Sequence, residues 1–248
     1  LSQQEKSVLP IGDQNSCKRG SALVTWLLVF VNVAVFVFVQ RFGRNEAATL
    51  AMAAVPSEII RGRGLLGILS SQFAHAGLAH LFGNMLFLSI FGDNVECRLG
   101  RRRYIALYLL AGSFGVLVHV AAASMAGGAA AEVPLVGASA AISAILASYL
   151  VLFPGNKVIV LLFNFIPTAL SAWLVIGFWF LLQVLGGLSG LSAGGTAYLA
   201  HVGGFGASWF WSRSYKRKEQ ARIEREKMER LKRGESGGVR WWIVDDED

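Results

Sequence analysis

Charge is what this chain has least of. Only 16% of its residues are Asp, Glu, Lys or Arg while 54% are apolar, which excludes an ordinary soluble globular domain. The charges that exist crowd the N-terminal tail, the span 96–103 and the tail after Arg213, and long runs elsewhere carry none. A core helix of a soluble protein shows one apolar stripe, whereas these runs are apolar all round. The expected fold class is an all-α polytopic membrane protein.

Cysteine is nearly absent too. The two thiols, Cys17 and Cys97, lie beside basic segments expected on the reducing side, so no disulfide is predicted, and their spacing suits no metal site. No metal or other cofactor is expected. An internal repeat is also missing, which argues against a small transporter with polar residues along its path. The net charge of +7 does not indicate nucleic acid. The bases flank apolar runs, as loop charge on one side of a membrane does, and form no stripe interleaved with aromatics.

What is there is a succession of apolar runs and breakers. The first run, Ser21–Val39, is close to the ~20 residues needed to span a bilayer. It is too long for a signal-peptide core and lacks a cleavage site, so it reads as a retained helix. Its Asn32 is expected to bond to another helix. The connection 40–77 is too long for a bare loop and is expected to hold interfacial amphipathic pieces. Further spans are expected near 78–94, 104–125, 139–153, 168–185 and 196–211. Phe153-Pro154-Gly155 stops the fourth, and Pro167 sets off the fifth.

Three regions follow: a cytosolic tail (1–20), a six-span membrane domain (21–213) and a charged cytosolic tail (214–248). Alternating acids and bases over Lys216–Arg233 suit a solvated helix. Trp241-Trp242 ahead of Asp245–Asp248 suggests an interfacial or partner-binding end. Positive-inside bias puts both termini in the cytosol, although Arg41, Arg44, Arg61 and Arg63 pull the other way.

Two polar side chains sit where hydrocarbon makes them expensive. Ser139 stands in Val136-Gly137-Ala138-Ser139-Ala140 at the mouth of one apolar run, and His201 in Ala200-His201-Val202-Gly203-Gly204 within another. Each has an ordinary explanation, a hydroxyl bonded back to a carbonyl or an imidazole bridging two helices. Together they suggest a nucleophile and its base. Ser139, Ser143 and Ala147 form one small-residue ridge and His201, Gly204 and Ser208 another, so the two helices can approach closely. Gly137 lets the backbone approach a substrate carbonyl. His80 and Asn84, four apart on one helical face, could aim donors at an oxyanion. His75 could line the same mouth, while His119 reads as packing or surface. Asp93, Glu96 and Glu132 all look peripheral, so a two-residue Ser–His machine is the economical inference.

The ordered set His75-Ala-Gly-Leu-Ala-His80-Leu-Phe-Gly-Asn84-Met, Glu96-Cys-Arg-Leu-Gly100, Tyr108-Leu, Gly137-Ala-Ser139-Ala, Phe178-Trp-Phe-Leu-Leu-Gln183 and Ala200-His201-Val-Gly-Gly204 resembles the rhomboid family of intramembrane serine proteases. The resemblance implies a six-helix rhomboid-like bundle and a metal-independent serine endopeptidase. Its substrates would be transmembrane proteins, cut in or near their membrane segments. It implies Ser139 as nucleophile, His201 as general base and acid, and His80, Asn84 and the Ser139 backbone N–H as the oxyanion site. Glu96 and Gly100 would stabilise the turn after the second span. Three positions depart from the family pattern. Ala140 stands where the family commonly has a glycine and would crowd the oxyanion site, Ser143 where some members carry an aromatic that stacks on the histidine, and Ser208 where a glycine is frequent. A multi-pass protein of the plasma (inner) membrane is expected, with the oligomeric state open. The alternative is a rhomboid-like protein that binds membrane clients without cutting them.

Overall fold

The computed structural model describes residues 9–13, 22–162, 166–188 and 198–233. Of the Gly/Ser-rich segment 186–195, expected as a loop, residues 186–188 instead end a helix, while 189–195, Cys17 and the Trp241–Asp248 end lie outside the described residues. Helices dominate. The helix α1 (Leu23–Ala34) continues as a π-helical stretch over Val35–Val39. The long connection folds into short helices: α2 (Glu46–Met52), α3 (Pro56–Ile60) and α4 (Gly67–Ser70), the last running into a 3-10 turn. Then come α5 (Leu78–Leu99), α6 (Arg101–Ala126), α7 (Ser139–Leu152), α8 (Ala172–Leu188) and α9 (Tyr198–Lys232).

Among the described residues, α6 alone has the length and apolarity to cross a bilayer unaided. The bent pair Gly67–Phe73 and α5, meeting at 89°, passes the same test as a unit, while α1, α7 and α8 are apolar but shorter. Apolar side chains on the outer faces stand open, among them Phe30, Leu110, Phe178 and Phe210. In a solvated protein such a rim would be an aggregation surface; facing lipid it costs nothing.

The expectation of an all-helical chain needs correction. Lys157–Leu162 (β2) and Ile166–Ser171 (β3) form an antiparallel hairpin, and Leu9–Asp13 (β1) pairs antiparallel with β2 on its other edge. The β-branched run Val158-Ile159-Val160 alternates, with Val158 and Val160 buried and Ile159 half-exposed, which is strand periodicity. Pro167 is tolerated because β3 is an edge strand. The helix expected as the fifth span therefore starts at Ala172, not Thr168. A second correction concerns α9, which runs on through Arg213 without a break and carries the charged segment as its own continuation.

The strand β1 is latched by its last residue. Asp13 Oδ2 accepts from Tyr149 Oη at 2.6 Å and Asn94 Nδ2 at 2.7 Å, and Asn156 Nδ2 donates to the same tyrosine at 3.1 Å. Burial pushes the Asp13 carboxyl up to about 6, with nearby Asp93 adding to the rise and the Tyr149 and Asn94 bonds opposing it. The docked strand thus binds a proton more tightly than the free one. Its docking advantage is complete below the ordinary carboxylate range and is lost as pH rises through about 6. Protection of the β1 amides against hydrogen exchange, corrected for intrinsic rates, should be greater at pH 5 than at pH 7.5. In Asp13→Asn the difference should vanish.

Candidate active site

Three helices converge through small residues. A Cβ at Gly204 of α9 would collide with the Ala140 carbonyl of α7, and one at Gly115 of α6 with the Ala200 carbonyl of α9. Ser208 fits its glycine-like position by donating to the Ala144 carbonyl at 2.6 Å and bonding Ser148 at 2.7 Å. Close approach of α7 and α9 brings the two suspected residues together. His201 Nε2 and Ser139 Oγ are 2.7 Å apart.

The other imidazole nitrogen fixes the direction of that bond. His201 Nδ1 is 2.7 Å from Gln183 Oε1 on α8, and the Gln183 amide nitrogen donates to the Trp179 carbonyl at 3.3 Å. The glutamine thus presents its oxygen, which only accepts, so Nδ1 carries the proton. Nε2 is then a free lone pair facing a hydroxyl, the tautomer that a general base requires. Gln183 stood in the sequence pattern without a role. The signal that singled out His201, a polar side chain within an apolar run, applied to it equally.

The missing aromatic at Ser143 has a substitute. Ser143 Oγ donates back to the Ser139 carbonyl at 2.7 Å, and the Trp179 ring lies 5.9 Å from the His201 ring, tilted by 32°. One turn of α8 therefore both packs a tilted ring against the histidine and hydrogen-bonds it. Ala140 does not crowd the site: its methyl is buried with Ala200 and Leu135 between helices, and it does not line the cavity.

That cavity, about 440 Å³, is lined by Ser139, His201, His80, Asn84, Gly83 and Trp179 among others. Gly137, at φ +131°, admits the His80 ring. A Cβ there would sit 2.9 Å from His80 Nε2 and 3.6 Å from Ser139 Oγ, so the space glycine leaves open lies between hydroxyl and ring. Ala76 N–H donates to His80 Nδ1 at 3.5 Å, which puts the His80 proton on Nε2, the atom facing that space. Asn84 Nδ2 is buried without a hydrogen-bond partner, a donor left unspent. Ala138 supplies no side-chain cap to α7, so no side chain competes for the first-turn N–H groups. Bonds from Gly137 N to Ser71 O and between Ala54 and Leu135 anchor the segment leading to the serine.

Other expected residues fall elsewhere. His75 is fully buried, packed edge-on to His80 at 5.3 Å between ring centroids, with its backbone held by both ends of the Gln40 amide, so it does not line the mouth. Asn32 Nδ2 donates back to the Leu28 carbonyl within α1, and its side chain also reaches the Tyr108 hydroxyl of α6. Glu96 is buried, and its carboxylate accepts from Val24 N, Thr25 N and Thr25 Oγ1 at 2.7–2.9 Å. It therefore caps the start of α1 from α5, where the orphan amides of a helix N-terminus favour an anion. Gly100, at φ +77°, makes the turn from α5 to α6. Cys97 is disulfide-bonded, contrary to expectation; spatial proximity, which sequence separation does not reveal, decides such pairing.

Residues 62–217, well over half of the chain, match the Rhomboid domain family model. The chain belongs to the rhomboid family. Membership makes it an integral membrane protein. Two curated relatives are similar to this rhomboid. "Rhomboid protein 1, mitochondrial" of Saccharomyces cerevisiae is 31% identical over 168 residues, covering 64% of this chain and 45% of its own length. "RHOMBOID-like protein 12, mitochondrial" of Arabidopsis thaliana is 29% identical over 198 residues, covering 75% of this chain and 56% of its own length. The chain thus spans about half the length of the curated relatives it matches. Both names refer to mitochondria, so neither relative supports the expected plasma-membrane location.

Proposed function

We propose that this rhomboid is an intramembrane serine endopeptidase that cuts membrane-protein substrates in or near their transmembrane segments through a Ser139–His201 dyad. The observation that carries the reading is the 2.7 Å contact from His201 Nε2 to Ser139 Oγ, with the imidazole tautomer set by Gln183. Ser139 Oγ attacks the scissile carbonyl carbon as His201 Nε2 takes its proton. The negative charge that forms on the carbonyl oxygen is met by His80 Nε2–H, Asn84 Nδ2–H and the α7 N-terminal amides. Collapse breaks the C–N bond, and His201 returns the proton to the leaving amine. Water then attacks the acyl-enzyme by the same route reversed. Gly137 and Gly204 act by letting ring and helix approach; Glu96 and Gly100 act at a distance, by holding α1, α5 and α6 in register.

In this proposal the membrane domain is residues 21–213, with six spans and both termini on the basic face. That membrane is the plasma (inner) membrane or a membrane of the organelle named for the relatives, the mitochondrion. The free chemistry of the site favours cleavage over mere client binding, because a binding protein has no use for a base poised on a hydroxyl.

Purified full-length protein in liposomes should cleave a co-reconstituted single-pass substrate bearing small or helix-breaking residues, equally with and without a chelator. Intact substrate after prolonged incubation, in protein whose thermal transition shows it folded, would remove the proposal.

Gln183 is a positioning residue, acting through His201. Gln183→Ala should lower kcat by about 10–100-fold, the usual cost of losing an orienting partner, with KM little changed. Gln183→Glu, which can still accept from Nδ1–H, should recover much of the rate; a purely structural role would predict no such rescue.

A further inference from the structure

The end of the bundle opposite the active site holds a second cavity that the proteolytic chemistry does not use. It is the larger of the two, about 710 Å³, and lies where the start of α6 meets the middle of α9. Four cations line it, Arg98, Arg103, Lys218 and Arg222, against one acid, Glu219. Arg98 Nε is buried with no hydrogen-bond partner, a donor that a bound anion would satisfy. Arg222 pairs with Glu219 and Glu226 at 3.8 Å, and Glu219 also bonds the Tyr215 hydroxyl, which leaves Arg98, Arg103 and Lys218 as the lining cations in excess. Tyr215 makes an aromatic wall, with Arg103 5.4 Å from its ring and Trp211 stacked on it at 5.6 Å.

An apolar groove adjoins this basic cavity. About 290 Å³ in volume, it runs between α6 and α9, shares Arg103 and Trp211 with the first cavity, and is walled by Leu107, Leu110 and Phe114. Leu110 and Phe114 are 70% and 50% exposed, so the groove opens to the outside of the bundle. From Arg103 to Phe114 is eleven residues of helix, or ~16 Å of rise at about 1.5 Å each. Half of a ~30 Å hydrocarbon core is ~15 Å. A basic, aromatic-walled basin at the membrane edge thus adjoins a leaflet-deep apolar groove.

We propose that α6 and α9 bind one anionic phospholipid here, its phosphate among Arg98, Arg103, Lys218 and Arg222 and an acyl chain in the groove. Charge complementarity selects an anionic headgroup, and the adjoining apolar groove selects a lipid over a soluble phosphate. His201 lies fourteen residues from Tyr215 along the same helix, ~21 Å at about 1.5 Å per residue, so this lipid touches none of the reacting groups. The inference rests on the chain lying in a bilayer and not on its being a protease.

The test uses the full chain in phosphatidylcholine nanodiscs titrated with dioleoyl phosphatidylglycerol, reading lipid retention by native mass spectrometry and the thermal midpoint in parallel. One phosphatidylglycerol should be retained in preference to phosphatidylcholine, with a saturable rise in Tm. The double variant Arg98→Gln/Arg103→Gln should bind phosphatidylglycerol about tenfold more weakly, a change of about 1.4 kcal/mol, while keeping the parent's Tm in pure phosphatidylcholine. Ala106→Phe, on the exposed side of the groove, should weaken dioleoyl more than dihexanoyl phosphatidylglycerol. Equal retention of the two headgroups by the parent, or undiminished retention by the double variant, would overturn the proposal. So would a thermal shift fully reproduced by inorganic phosphate, which would assign the cavity to a soluble anion. If the double variant fails to fold, Lys218→Gln/Arg222→Gln on the exposed face of α9 applies the same test.

Discussion

His201→Ala is expected to abolish cleavage, Ser139→Ala is expected to do the same, and the double variant should be no slower than either single one. Each single loss is put on the order of 10⁴-fold or more in kcat, because nucleophile and base act as a unit and neither works without the other. The geometry gives the reason. With Nδ1 donating to Gln183 Oε1 at 2.7 Å and Nε2 facing Ser139 Oγ at 2.7 Å, the imidazole is committed to one acceptor site, and only the serine proton reaches it. Steady-state rates on a transmembrane substrate would check this, with thermal midpoints to show that each variant folds. Additive losses in the double variant would mean that the two residues work in separate steps, contrary to the dyad.

Asn84→Ala carries the second-largest expected effect, a fall of about 10²-fold in kcat, the usual cost of one oxyanion donor. Its Nδ2 is buried with no partner in the resting site, so under the proposed mechanism the bond it makes belongs to the transition state. KM should therefore hardly move. Removing an unpartnered buried donor should also leave stability unchanged or slightly raised, because its desolvation is no longer uncompensated. A raised KM with unchanged kcat would instead make Asn84 a substrate-binding residue. His80→Ala is the less clean version, since that ring also packs against His75 and fills the space beside Gly137.

Much of this site was legible in the chain because membranes make polarity conspicuous. Ser139 and His201 stand out as single polar groups among glycine and alanine, and the small neighbours at Gly204 and Ser208 state that helices meet there. His80 and Asn84 declare themselves by four-residue spacing. Other features were hidden for identifiable reasons. The run after Lys157 is as apolar as a span, and its alternation over Val158–Val160 is too short to outvote its hydropathy; only pairing with Ile166–Ser171 and Leu9–Asp13 makes it a sheet. Four of the five residues of β1 pair with partners about 150 positions away, a register no local pattern encodes. The boundary placed at Arg213 followed the change from apolar to charged composition, but with neither glycine nor proline there the helix continues. The role of Gln183 was legible in principle and was missed because its partner lies on another helix.

One measurement bears most directly on the central claim, that Ser139 is an activated nucleophile within the membrane domain. Purified full-length protein is treated with a fluorophosphonate, and the site of covalent attachment is mapped by mass spectrometry of the digest. A single adduct on Ser139, lost in His201→Ala and strongly slowed in Gln183→Ala, is the predicted result. Cleavage that persists while Ser139 stays unlabelled, or an adduct on another residue in the active protein, would contradict it.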